Sequence, residues 1–273
     1  VKAWKDVDAA YDTIIKKTGA TGEAALELQG ICEDLATSIP TSFEEAADAV
    51  GEVNTRFEVT GDKLQELSGD FIKFAQVNGT SVSTSKDKVQ SAMTAFGLSA
   101  DDAGKFLDTL TAASQSTGVS VDQLASDMMS NSAALKEMGY SASDAALFLA
   151  NLNKSGIDSS AVMAGLKKAF VNATKDGKTM EEAIAELQQE MASAETDTEA
   201  MQKAIELFGN KAGPAIAAAC AEGRLSFDEL GTSMEDFAGT LDSTFEETIS
   251  PIDNLKQALN NLKLVGYDLV ETM

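Results

Sequence analysis

A recurring helix break constrains this chain more than any other feature. Gly97-Leu98-Ser99, Gly118-Val119-Ser120 and Gly139-Tyr140-Ser141 stand 21 residues apart; Gly156-Ile157-Asp158 follows after 17, and Gly177-Lys178-Thr179 after another 21. Each break has the same physical content: a glycine able to take the left-handed conformation ends one helix, one residue follows, and a Ser, Asp or Thr side chain caps the next. An apolar stripe begins six residues after each glycine, at Ala103, Leu124, Ala145, Val162 and Ala183. It continues through Phe106, Met128, Phe148, Leu166 and Leu187. A helix of about four turns cannot bury such a stripe alone, so these helices must stack on their neighbours. Both a multi-helix domain and a short solenoid satisfy that demand. One helix plus one tight turn is not a known solenoid unit, and the 17-residue step breaks the period, which favours the compact domain.

Flanking regions carry the same signals. Trp4, Val7, Tyr11 and Ile14 share one helical face, which Gly19 ends, and a second helix runs from Thr21 towards Pro40. Ser42-x-x-Glu45 reads as a capping box for a third helix with Val50, Val53 and Phe57. Thr60 opens a fourth, with Leu64, Leu67, Phe71 and Phe74 inward, ending near Gly79. No segment alternates with period two, so no strand is expected. Beyond the polar stretch Glu195 to Glu199, a helix with Met201, Ile205 and Phe208 leads into Gly209-Asn210-Lys211-Ala212-Gly213-Pro214. Gly223, Gly231 and Gly239 then recur around short pieces such as Ser226 to Leu230, which read as weakly packed. Pro251 suits the first turn of a last helix. In it Ile252, Leu255, Leu259 and Leu262, with Gly266 and Leu269 next in register, follow the a/d spacing of a coiled-coil seam. That stripe fits self-association and packing within the chain equally well.

The reading is therefore all-α: a multi-helix array of short helices joined by Gly-x-Ser/Thr/Asp turns, with heptad-patterned helices at both ends. Four segments follow. Residues 1–40 hold N-terminal amphipathic helices, 41–194 a compact multi-helix core, 195–250 a helix and a Gly-rich linker-like stretch, and 251–273 the start of a coiled-coil-like helix. Val1 falls inside a helical pattern and the last stripe runs on to Met273, which suggests a piece of a longer polypeptide.

Composition removes most catalytic chemistry. The 273 residues include no histidine, which excludes Ser-His-Asp and Cys-His nucleophile pairs, His-ligated zinc and the HExxH helix. With 44 acidic and 21 basic residues, the formal charge is −23, and affinity for phosphate backbones comes from clustered Lys and Arg. Neither specific nucleic-acid binding nor attraction to an anionic membrane is expected. Hydrophobic residues at 44% suffice for a core. Aromatics at only 6% and abundant alanine favour closely packed helices. Cys32 and Cys220 form neither a CxxC pair nor a metal knuckle, read as buried free thiols, and imply synthesis in a reducing cytoplasm. The apolar run Ala215 to Ala221 is far below the ~20 residues that span a bilayer.

Remaining motif candidates have plainer explanations. Gly177-Lys178-Thr179 opens a helix as a phosphate loop does, but Asn172 stands where the earlier glycine is required, and helix instead of strand precedes it. Asp101-Asp102, Glu44-Glu45 and Glu181-Glu182 lie in first helical turns, where negative charge favours the positive end of the helix dipole. No GxGxxG or EF-hand spacing occurs. No catalytic, cofactor-binding or metal residue is assigned, and the chain is not expected to be an enzyme.

Several blocks are more specific. Val50-Gly51-Glu52-Val53-Asn54-Thr55-Arg56-Phe57, Thr60-Gly61 and Phe74-Ala75-Gln76-Val77-Asn78-Gly79-Thr80 resemble the core of tail tape measure proteins of long-tailed bacteriophages and prophages. The Gly-x-Ser-capped helices and Glu206-Leu207-Phe208-Gly209-Asn210-Lys211-Ala212-Gly213-Pro214-Ala215 resemble the same family, which often has Arg where Lys211 stands. The similarity covers about residues 20–225. Its motif residues are Gly51, Asn54, Phe57, Phe74, Asn78, Gly79, Phe208, Gly209, Ala212, Gly213 and Pro214. The resemblance implies a virion protein packed in the tail tube or tip after assembly in the host cytoplasm. It would set tail length, leave ahead of the DNA, and contact tail tube, tail chaperone and tail-tip or baseplate proteins. Apart from the resemblance, the heptad pattern of the end helices suggests a trimer or another small cyclic assembly. Family members often carry transmembrane-like segments, which this stretch lacks. A helical effector, toxin or scaffold module without catalytic activity is the alternative. One continuous helix of 273 residues would reach about 410 Å, but the glycine breaks fold this chain back on itself.

Overall fold

The computed structural model describes the backbone of residues 2–157, 159–223 and 233–271; the Trp4 side chain, Asp158, Ser226 to Leu230 and Leu269 fall outside what is described of side chains or backbone. Among the described residues the fold is all-α, with no strand. The first six helices are α1 (Lys2–Thr18), α2 (Glu23–Ser38), α3 (Phe43–Phe57), α4 (Gly61–Val77), α5 (Val82–Phe96) and, after a 3-10 turn at Ala100–Asp102, α6 (Ala103–Thr117). Then come α7 (Val121–Glu137), α8 (Ala142–Lys154), α9 (Ser159–Lys175), α10 (Met180–Ser193) and α11 (Asp197–Ala221). After a second 3-10 turn, α12 (Thr240–Thr248) and α13 (Pro251–Glu271) complete the chain.

The turn chemistry explains the helix lengths. Gly97, Gly118, Gly139, Gly156 and Gly177 all have φ between 68° and 84°. At Gly139 the left-handed residue lets the Tyr140 N–H bond back to the Leu135 carbonyl at 3.0 Å, closing the end of α7. Two residues on, the Ser141 hydroxyl accepts the Asp144 N–H, and the Asp144 carboxylate accepts the Ser141 N–H, a reciprocal capping box. Thr179 and Glu182 repeat the box on α10, Ser42 and Glu45 form it on α3, and Ser120 caps α7 through the Gln123 N–H.

Two compact units result, each assembled from separated stretches. The first comprises residues 1–91, 98–111 and 238–273; the second comprises 92–97 and 112–237. In the first, α3 is the centre, flanked by α1, α2 and α4, while α12 lies on α4 and α13 on α1 and α2. Its core holds Ile14, Phe43, Leu64, Leu67, Phe71, Phe74, Phe106 and Leu110. In the second, α9 packs against α11, α10 against both, and α7 against α8. Helix α8 is buried on every side from Ala142 to Ala150, as suits a run that is almost continuously apolar or small. The inward positions expected from the sequence, from Ala103 to Ala183 and from Phe106 to Leu187, are all buried.

Removing the Ser141 hydroxyl with Ser141→Ala is expected to cost about 1 kcal/mol. Gly139→Ala meets no neighbouring atom, so its cost of about 1 kcal/mol is purely conformational. Urea unfolding followed by circular dichroism measures both. An unchanged midpoint for either would contradict the role given to this turn.

Candidate functional site

The motif blocks fall in different units, and each proves to be a folding device. In the first unit, Gly51 sits on the face of α3 that meets α1. A Cβ there would lie 2.9 Å from the Lys17 Cδ and 3.0 Å from its Cβ, so any larger residue would have to displace the lysine stem that crosses here. Lys17 thereby places Nζ 3.0 Å from Asp48 Oδ1 and against Glu52. Glu52 also receives Lys86 of α5, whose side chain is only 8% exposed. Burial holds the Lys86 ammonium below the usual lysine range, and Asp87 and Asp48 oppose that shift. Helices α1, α3 and α5 are thus tied by a partly buried ion-pair network through Glu52.

Asn54 donates its amide N–H to the Val59 carbonyl at 3.0 Å, fixing the turn in which Glu58 adopts φ 55°. The Phe57 ring lies 5.5 Å from that of Phe71, and Phe74 is fully buried. Asn78 donates to the Phe74 carbonyl and to Thr111 Oγ1, joining the end of α4 to α6. Gly79 takes φ 63°, and the Thr80 N–H closes the helix on the Ala75 carbonyl.

In the second unit, Gly209 interrupts α11 with φ 84° and ψ 170°, a conformation open only to glycine. The two halves of α11 fold back on each other there. A Cβ on Gly213 would stand 2.6 Å from Ile205 Cα, and one on Gly165 of α9 would stand 2.2 Å from the Phe208 carbonyl oxygen. Phe208 and Ala212 are buried at this corner. Pro214, in the second turn after it, lacks the N–H that would bond to the Asn210 carbonyl.

The last candidate set lies on the surface. Ile252, Leu255, Leu259 and Leu262, joined by Val265, are 49% to 69% exposed. Helix α13 docks through a different and largely polar face. Asn260 is buried and donates to the Ala36 and Thr41 carbonyls, each at 2.7 Å; Gln257 donates to the Ser38 carbonyl at 2.6 Å; Lys263 pairs with Asp6 at 3.1 Å. The Tyr267 ring meets that of Tyr11 edge-on at 5.5 Å.

Lys17, Glu52, Lys86 and Gly165 were not singled out from the sequence. A glycine inside the helical pattern around Leu166 costs helix stability and so signals a close approach, whereas nothing marks Lys86 as buried. Cys32 is buried, and burial pushes its thiol up to about 12; burial also raises Cys220. Among the described residues no group of three His, Cys, Asp or Glu side chains is placed to hold a metal ion, and no helix is long and apolar enough to cross a membrane.

A family model described as phage-related minor tail protein matches residues 29–215. The chain belongs to that family. The tape measure protein of Pneumococcus phage Dp-1 is 24% identical over 188 residues, which cover 68% of this chain and 16% of that protein. The chain spans about a sixth of the length of that relative. The family match runs from Gln29 in α2 to Ala215 in α11. It takes in the Gly51 to Gly79 blocks and the Gly209 corner, and it leaves out α12 and α13.

Gly165→Ala is expected to destabilise the fold by about 3 kcal/mol, because the added methyl meets backbone that cannot yield. Gly30→Ala, whose Cβ meets nothing within 4 Å on a helical backbone, is expected to stabilise by roughly 0.5–1 kcal/mol. Thermal unfolding of the two variants distinguishes the cases, and equal effects would refute the corner as described.

Proposed function

We propose that this chain is a non-catalytic structural module of a tape measure protein of a long-tailed phage or prophage, located in the tail tube or tip. The family match across α2 to α11 is the observation that carries this reading. In the proposed role the module takes part in tail assembly, contacts tail tube, chaperone and tail-tip or baseplate proteins, and leaves ahead of the genome. The glycine-capped turns make it a folded body attached to the ruler. Length would be set by continuous helix elsewhere in a parent chain. The formal charge of −23 suits a lumen shared with DNA, since like charges repel over about a Debye length, ~8 Å at physiological salt.

Two tests apply. In a phage encoding this module, an in-frame insertion of about 42 helix-forming residues after it should lengthen the tail by about 63 Å, at ~1.5 Å per residue. Tails of unchanged length in electron micrographs would overturn the ruler assignment. Cryo-electron microscopy that finds no density for the module in the lumen or tip would overturn the location.

The stripe Ile252, Leu255, Leu259 and Leu262 is the surface we assign to self-association, giving a trimer or another small ring. In parallel register the positions flanking the seam carry Lys256 and Lys263 opposite Pro251 and Ala258, so no like charges face each other. Analytical ultracentrifugation should give an oligomer for the chain and monomer for Leu255→Lys/Leu262→Lys. Identical sedimentation of the two would refute the assignment.

A further inference from the structure

The C-terminal arm, α12 with α13, begins in an acidic cleft of the first unit. The N-cap of α12 is Gly239, which has no side chain to satisfy the free N–H groups of the first turn. Asp108 of α6 supplies the cap from a distance. Its Oδ2 accepts the Gly239 N–H at 2.9 Å and its Oδ1 the Leu241 N–H at 2.8 Å. The next residue, Asp242, pairs with Lys73 of α4 at 2.6 Å. One turn before Lys73 stands Asp70, whose Oδ2 lies 3.2 Å from the place a Cβ on Gly104 would occupy; glycine at 104 leaves room for it. The cleft around these groups measures about 600 Å³.

We propose that Asp70 is a pH-operated latch for the arm: once ionised, it completes a set of three carboxylates from α4, α6 and α12 around Lys73 and loosens α12 from the first unit.

The surrounding charges are consistent with that. From α4 the cleft also receives Lys63 and Glu66, which pair with each other at 3.3 Å. The 3-10 turn and α6 contribute Asp101 and Lys105, whereas α2 contributes only the uncharged Leu35, Ser38 and Ile39. Burial pushes Asp70 up to about 6, against Lys73 and with help from Asp242, Glu66 and Asp108. Asp108 is also raised, because burial outweighs its two backbone hydrogen bonds. Asp242, which rides on the arm, is among the charges that raise Asp70, so docking and protonation favour each other. For a carboxyl raised in the docked state, the contribution to docking is complete below the ordinary carboxylate range, near 4, and is lost as pH rises through about 6.

Amide-exchange protection across Gly239 to Glu246, corrected for intrinsic rates, reads the latch in the full 273-residue chain. Protection should be up to about tenfold greater near pH 5 than near pH 7.5, with α3 amides unchanged. Asp70→Asn should strengthen the hold on the arm near pH 7.5 and shrink the difference to the part that the raised Asp108 carries. A wild type with no pH difference, a difference undiminished in Asp70→Asn, or α3 amides that change in parallel would each overturn the proposal. Should Asp70→Asn fail to fold by circular dichroism, Asp242→Asn removes the charge that rides on the arm. It should shrink the difference, and an undiminished difference would overturn the proposal.

Discussion

A peptide chain can end a helix cheaply only where it satisfies the last carbonyls and the next free N–H groups within a few residues, and this protein uses one solution repeatedly. A glycine turns left-handed, and a Ser or Thr two residues later receives the N–H at the third helical position. Helices of thirteen to seventeen residues follow from that spacing in α6 to α10. Helices this short are marginal alone, so their apolar stripes must find one another. The multi-helix units depend on that shortage of self-sufficiency.

The family blocks show how little a motif says about its task. Gly51 and Gly213 each stand within a helix where something crosses closely: the Lys17 stem at one, the Ile205 backbone at the other. Gly209 alone among the corner residues is needed for its dihedral angles. Asn54 and Asn78 each bind a carbonyl beyond the end of their own segment or at its last turn. All of these are devices for holding helices in fixed relation.

Helix α13 reverses the usual arrangement. Most helices bury the apolar face and expose the polar one, whereas α13 buries Asn260 and leaves Leu255, Leu259 and Leu262 in solvent. The reason is local: the end of α2 and the loop before α3 present the carbonyls of Ala36, Ser38 and Thr41, and amide side chains satisfy them better than leucine could. An uncharged stripe is then left exposed on a strongly acidic protein.

Periodicity made the helical class and the inward positions legible, because burial of one face imposes a 3.6-residue rhythm on the residues themselves. The capped turns were legible as well, since glycine's freedom and a hydroxyl's reach are local properties. Which helices pair was not. The return of α12 and α13 to the first helices, the Lys17–Glu52–Lys86 network, the fold of α11 upon itself and the convergence of Asp70, Asp108 and Asp242 all join residues far apart in the chain. Such contacts are chosen by packing and charge balance among whole helices, and no single segment encodes them. The sequence determined where the glycine-capped helices begin, end and turn their apolar side; only the tertiary structure decided which side of the last helix would remain unburied.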